Sequence, residues 1–174
     1  AVSRGIMMHQ LFERLPPVPA QQRAMAAERW LAAQGADLPA AERKDMAAEV
    51  LAVLDHPEFA ELFGPQSLAE VPLSAVVDGL VVAGIVDRLL VTDDKVMVID
   101  FKTGRHLPAD ESEVAPAYLR QMSAYRDALA VIFPKRDIIA ALLYTSGPTL
   151  IRLSSAILDA NKPGFTAGKA NLAL

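Results

Sequence analysis

The sequence predicts a mixed α/β domain. Three observations carry that expectation. Apolar residues in the first third recur at helical spacing, and each run stops at a proline or glycine. The middle shifts to strand-type runs around an Asp-Gly pair, and a long helical stretch then separates that block from further strands.

The first helix is expected from about Ser3 to Leu15, with Ile6, Met7, Leu11 and Leu15 at helical spacing and Pro16-Pro17 as its stop. Pro19 suits the first turn of a second helix that ends at Gly35. A third spans about Pro39 to Leu54, with Met46, Val50, Val53 and Leu54 as its apolar face, and His56-Pro57 closes it. A short helical turn is expected around Phe59 to Leu62. Next come SLAEVPLSAVV, Asp78-Gly79 and LVVAGIVDRLLV, the pattern of a β-hairpin whose turn needs two positive-φ residues. A second turn at Thr92-Asp93-Asp94-Lys95 leads into VMVIDFK, completing an antiparallel meander of three strands. The third is apolar almost throughout, as for a strand covered on both faces. A polar loop runs from Arg105 to about Ser112, followed by a helix from about Ala115 to Phe133, which Pro134 ends. IIAALLYT is a fourth strand, Gly147-Pro148 a turn and TLIRLS a fifth strand, while NKPGFTAGKANLAL has little periodicity and is expected to be loose at its end.

A length of 174 residues suits one domain with a core of its own. The expected division is an N-terminal helical part over 1–66, a core over 67–153 and a tail over 154–174. Zero cysteine excludes disulfides, thiolate metal sites, an iron–sulfur cluster and cysteine nucleophiles. The net charge of −4 argues, by itself, against a nucleic-acid binder. The longest apolar stretch, Ser74 to Val91, is interrupted by Asp78, Asp87 and Arg88, so no membrane-spanning helix is expected. AVSRGIMMHQ lacks the regions of a signal peptide and starts abruptly. With 52% apolar residues and a mean hydropathy of +0.25, this suggests a domain cut from a longer protein.

The chemistry concentrates in Gly84-Ile85-Val86-Asp87-Arg88 and Val98-Ile99-Asp100-Phe101-Lys102. Asp100 and Lys102 share one strand face, and Phe101 points into the opposite layer. Counted from the turn between their strands, Asp87 and Asp100 lie about equally far out, which makes them cross-strand neighbours. Two facing carboxylates beside an ammonium are costly without a cation, and a hard divalent ion such as Mg²⁺ would relieve that cost. The alternative is an ordinary Asp100–Lys102 surface pair with Asp87 at a strand end. The apolar VMVI run directly before Asp100 weighs against it.

The ordered set Arg4-Gly5-x-x-x-His9, G-I-V-D-R, V-I-D-F-K-T-G and Tyr118-x-x-Gln121-x-x-x-Tyr125 resembles the RecB/AddA branch of the PD-(D/E)XK nucleases. The resemblance runs from Arg4 to about Leu153. It implies a restriction-endonuclease-like core, a central mixed sheet flanked by helices. It also implies that His9, Asp87, Asp100 and the Phe101 carbonyl bind Mg²⁺, with Mn²⁺ as a substitute, and that Lys102 is the catalytic lysine beside Asp87 and Asp100. Gln121 would orient catalytic groups, and Tyr125 would contact or stack against a DNA strand. Arg88, Arg105, Arg120 and Arg126 are candidate phosphate contacts, His106 a candidate DNA-facing residue and Glu70 a candidate outer neighbour of the metal.

The implied activity is a Mg²⁺-dependent exodeoxyribonuclease that hydrolyses single strands during double-strand break resection. The implied partners are single-stranded DNA, a helicase portion of the same polypeptide and an AddB-like subunit, in a bacterial cytoplasm. G-x-x-x-x-G-K-[ST] is absent, so this chain carries no helicase motor and binds no nucleotide of its own. The missing cysteines separate it from relatives that hold an iron–sulfur cluster. Two alternatives stay open: a non-catalytic docking or DNA-binding module of a helicase, and a stand-alone nuclease of the same fold.

Overall fold

Proline and glycine mark where the helices stop, and the strands begin where the apolar spacing changes. The computed structural model describes residues 4–163 and the backbone of 172–173. Helices α1 (Arg4–Arg14), α2 (Ala20–Gln34) and α3 (Ala40–Leu54) come first, followed by a 3₁₀ turn over Pro57–Phe63. Strands β1 (Ser67–Val77), β2 (Leu80–Val91) and β3 (Lys95–Lys102) form the expected antiparallel meander. Asp78 and Gly79 both have positive φ, as the tight turn between β1 and β2 requires.

Helix α4 (Pro116–Ile132) then carries the chain over the sheet, so that β4 (Asp137–Tyr144) lies parallel to β3. A crossover helix is what a parallel neighbour demands. Strand β5 (Thr149–Leu153) returns antiparallel to β4, giving a mixed sheet in the order β1-β2-β3-β4-β5. A two-residue strand β6 (Leu172–Ala173) adds parallel to β2 at Val82 and Ala83. The mixed α/β class and the five expected strands are therefore present.

The sheet separates two cores. Met7, Met8, Leu11 and Phe12 of α1 and the apolar faces of α2 and α3 pack against Leu90, Met97, Ile99, Phe101 and Leu143. On the opposite face, Leu119, Met122, Tyr125 and Leu129 of α4 cover Val96, Val98, Leu142 and Tyr144. Strand β3 contributes to both cores, which accounts for its nearly continuous apolar run.

Two segments depart from expectation. Residues 155–160, expected as tail, form a short helix α5 (Ser155–Ala160). Ser154 caps it by accepting from Ile157 N, and its Leu158 carbonyl accepts from the buried Ser123 hydroxyl on α4. Six residues are too few to display a helical period, so only the cap announces this helix. The polar loop after β3 also closes with a 3₁₀ turn at Glu111–Glu113, opened by Asp110, whose side chain accepts from Ser112 N. The loose end expected for the tail lies largely outside the described residues.

Candidate active site

The site forms where β2 parts from β3. Their paired residues run from Val91↔Val96 to Arg88↔Ile99, so the next step of the register sets Asp87 opposite Asp100. At that fork Asp87 Oδ2 accepts the Phe101 N–H at 2.7 Å, a side chain continuing what the backbone ladder leaves off. On the other side of β2, Ala69↔Arg88 and Val71↔Val86 bracket Glu70 opposite Asp87. Glu70, Asp87 and Asp100 thus form a row across three adjacent strands.

The sheet is distorted along this row. Val82 and Val86 of β2 join the core under α4, and so does Leu89, so the alternation slips by one residue around Asp87. Opposite it, Glu70 has φ of 50°, in the left-handed region that a residue with a side chain seldom occupies. Such local breaks in a ladder redirect side chains beside functional sites.

Helix α1 supplies His9 from the other layer. Its Nδ1 lies 3.2 Å from Asp87 Oδ1, and its ring meets the Phe101 ring edge-on. The Gly-x-x-x-His spacing has a local reason: Gly5 lies one helical turn before His9 on the same face. A β-carbon on Gly5 would come within 3.2 Å of Thr103 Oγ1, so glycine lets α1 lean on the end of β3. Arg4 secures the contact, donating to the Thr103 carbonyl and pairing with Glu49 of α3. Glu49 in turn accepts from the buried Thr145 hydroxyl after β4.

His9, Glu70 and Asp87 present ligand atoms that all lie within 4.8 Å of one another. One imidazole nitrogen and two carboxylates suit a hard or borderline divalent cation. Asp100 stands beside this group but turns to Lys102, whose Nζ is 2.6 Å from Asp100 Oδ2. The Lys102 ammonium also sits 3.5 Å from the centre of the Tyr118 ring. The acids feel their burial and one another: burial and the Asp87 charge raise the carboxyls of Glu70 and Asp100 above their usual range, while Lys102 partly offsets this for Asp100. Burial acts to lower the His9 pKa, but its hydrogen bond to Asp87 and the surrounding carboxylates outweigh this and raise it.

The predicted residues divide. His9 and Asp87 meet, Asp100 pairs with Lys102, and Phe101 anchors the fork from the helical core. Glu70, only an outer neighbour in the sequence reading, belongs to the inner cluster. Counting outward from Asp78-Gly79 sets Glu70 opposite Asp87, and that signal was available in the sequence.

Tyr125 requires a correction. It is 1% exposed, too buried to stack on a strand, and its hydroxyl donates to the Ile85 carbonyl at 3.1 Å. Gln121 Nε2 lies 3.5 Å from that hydroxyl, so the pair braces β2 from below. The exposed ring is Tyr118, two helical turns earlier. Arg88 is also not a surface phosphate contact: it is 3% exposed, donates to the Phe12 carbonyl and lies over the Phe63 ring. Burial lowers its pKa to about 10, despite nearby Glu70, Glu13 and Asp87. Arg126 is engaged by Asp127 and Asp159, whereas Arg105, His106 and Arg120 are exposed.

Among the described residues, no helix is long and apolar enough to cross a membrane. No match is found among curated proteins. Solved structures similar to this chain include the following two. The crystal structure of SSO0001 has 20% identity and a TM-score of 0.36, with 88% of this chain and 71% of that one covered. The crystal structure of protein VC1899 from Vibrio cholerae has 14% identity and a TM-score of 0.36, with 84% of this chain and 48% of that one covered. A family model described as "PD-(D/E)XK nuclease superfamily" matches residues 1–162, nearly the whole of the fold and every residue of the site. The chain belongs to the PD-(D/E)XK nuclease superfamily.

Proposed function

We propose that this chain is a Mg²⁺-dependent DNA nuclease domain of the RecB/AddA type, acting as an exodeoxyribonuclease on single strands during double-strand break resection. The observation that supports it most is the cluster of His9, Glu70 and Asp87 set directly beside the Asp100–Lys102 pair. His9, Asp87 and Asp100 would hold the ion, with Glu70 and the Phe101 carbonyl completing its oxygen ligands. A divalent ion bound there supplies Lewis-acid activation of water and neutralises charge on phosphoryl oxygens. Lys102 holds the attacking water through its ammonium and then stabilises the charge that develops on the phosphoryl group. Attack in line breaks the P–O3′ bond, leaving a 5′-phosphate and a 3′-hydroxyl. Asp87 keeps the fork open through its bond to Phe101 N, and Gln121 and Tyr125 support β2 beneath it.

The reading extends to partners. It places the domain beside a helicase portion of a parent polypeptide, with an AddB-like subunit, in a bacterial cytoplasm. Exposed Leu68, Val76, Val81 and Ile85 on the β1–β2 ribbon are the surface such docking would use. Incubation with single-stranded DNA and Mg²⁺ or Mn²⁺ tests the activity directly. Asp100→Ala and Lys102→Ala are each expected to lose about 10²–10³-fold or more in rate, as removal of a transition-state contact predicts. Equal cleavage by the parent and both variants would refute the reading.

A further inference from the structure

Beside Lys102 lies a cleft of about 400 Å³, on the side of the site away from Glu70. Its lining takes Phe101 and buried Tyr144 from the sheet, Thr103 and Gly104 from the end of β3, and His106 and Pro108 from the next loop. Glu113, with Ala115 and Tyr118 at the start of α4, completes its lining. The loop is braced, because Glu113 accepts from Ala109 N at 2.8 Å and Ser146 donates to the Gly104 carbonyl at 3.0 Å.

Tyr118 is unusual among the aromatic residues of this sheet face. Tyr125 and Tyr144 are buried, whereas Tyr118 is 38% exposed and borders the cleft. One face of its ring carries the Lys102 ammonium, a contact that anchors the ring beside the atoms proposed to act on phosphate. A fixed aromatic ring at the mouth of a cleft is the element on which single-stranded nucleic acids stack their bases. The volume is at the lower end of small-molecule sites, enough to admit one nucleoside.

We propose that this cleft receives one unstacked nucleobase next to the scissile phosphate, held against Tyr118, and that this insertion selects single-stranded over duplex DNA. The proposal rests on the nuclease reading for its phosphate but not for its base. A base inside a duplex would have to leave its stack and its partner before entering, at a cost of a few kcal/mol. A free strand meets almost none of that cost.

Binding decides the proposal without requiring turnover. The probe is a fluorescein-labelled single-stranded oligonucleotide, with Ca²⁺ in place of Mg²⁺, followed by anisotropy. Tyr118→Ala is expected to weaken binding about tenfold, the effect of losing one base–aromatic stack, while Tyr118→Phe binds as the parent does. An abasic residue moved along the oligonucleotide should reproduce that loss with the parent protein at one position, and add nothing to Tyr118→Ala. The abasic series needs no variant, so a folding defect cannot imitate it. No position-dependent loss, additive losses or no binding at all would overturn the proposal. So would a fall in kcat with unchanged KM for Tyr118→Ala, since Tyr118 would then only hold Lys102 in place. Parent protein that binds as described but fails to cleave with Mg²⁺ or Mn²⁺ would defeat the nuclease reading and leave the cleft standing.

Discussion

Gly84 and Tyr125 compete for one place. A β-carbon on Gly84 would come within 2.7 Å of Tyr125 Oη and 3.0 Å of its Cε1, and the buried ring has little room to retreat. Gly84→Ala is therefore expected to lower stability by about 1–3 kcal/mol in urea unfolding. Tyr125→Phe, which removes the bond to the Ile85 carbonyl, should cost about 1 kcal/mol. Because the hydroxyl makes the closest contact, the double variant should be less destabilised than the sum, and strict additivity would refute this account. The glycine of the G-x-x-D motif thus has a packing reason, three residues before the acid it helps present. Asp87, Asp100 and Lys102 were legible because strand alternation and a turn count assign faces and rows. Tyr125 was not, since its four-residue spacing from Gln121 gives a helical face without saying whether that face meets solvent or sheet. Glu70 was half legible: register set it opposite Asp87, but its left-handed backbone follows from the fold around it.

Helix α1 reaches the sheet through contacts at its first turn. Arg4, Glu49 and Thr145 link α1, α3 and the end of β4, and Gly5 rests on Thr103. His9 is held one turn further on, so this network sets the distance between its ring and Asp87. Glu49→Ala, which loosens the helix that carries His9, should weaken Mn²⁺ binding by up to about tenfold, the lower end of what loss of a ligand's direct outer partner costs. Titration calorimetry would measure it, and Glu49→Gln, which keeps the shape and an acceptor oxygen, should recover much of the affinity. Unchanged affinity in the alanine variant would separate α1 placement from the site. Strands β1 and β2 were expected at their observed limits, because the Asp-Gly turn and the flanking polar residues punctuate them. Helix α5 was hidden by its shortness, since a single turn and a half shows no period in the sequence.

At the scale of the molecule, the site stores a charge imbalance that a cation or protons relieve. Glu70 and Asp100 are raised by burial and by Asp87, and His9 by its carboxylate neighbours despite burial. Each takes up protons more readily folded than unfolded. Its contribution to stability is therefore complete below its ordinary pKa and fades as pH rises through the raised value. Metal-free protein should melt at a lower temperature as pH rises from about 6 to about 8, and Mn²⁺ should restore more stability at the upper end, where protons compete least. At a hundredfold excess over Kd the gain is about 2.7 kcal/mol. Thermal melts with EDTA or Mn²⁺ measure both, and a Mn²⁺ gain that shrinks toward pH 8 would contradict the assignment. The cluster has one more consequence, which concerns synthesis. His9 lies in helix α1, whereas Asp87 and Lys102 emerge only with the second and third strands of the meander. A chain still on the ribosome therefore lacks half its site until the long connection closes, the slow step in folds rich in non-local contacts. On the nuclease reading, competence to cut nucleic acid arrives together with the complete fold.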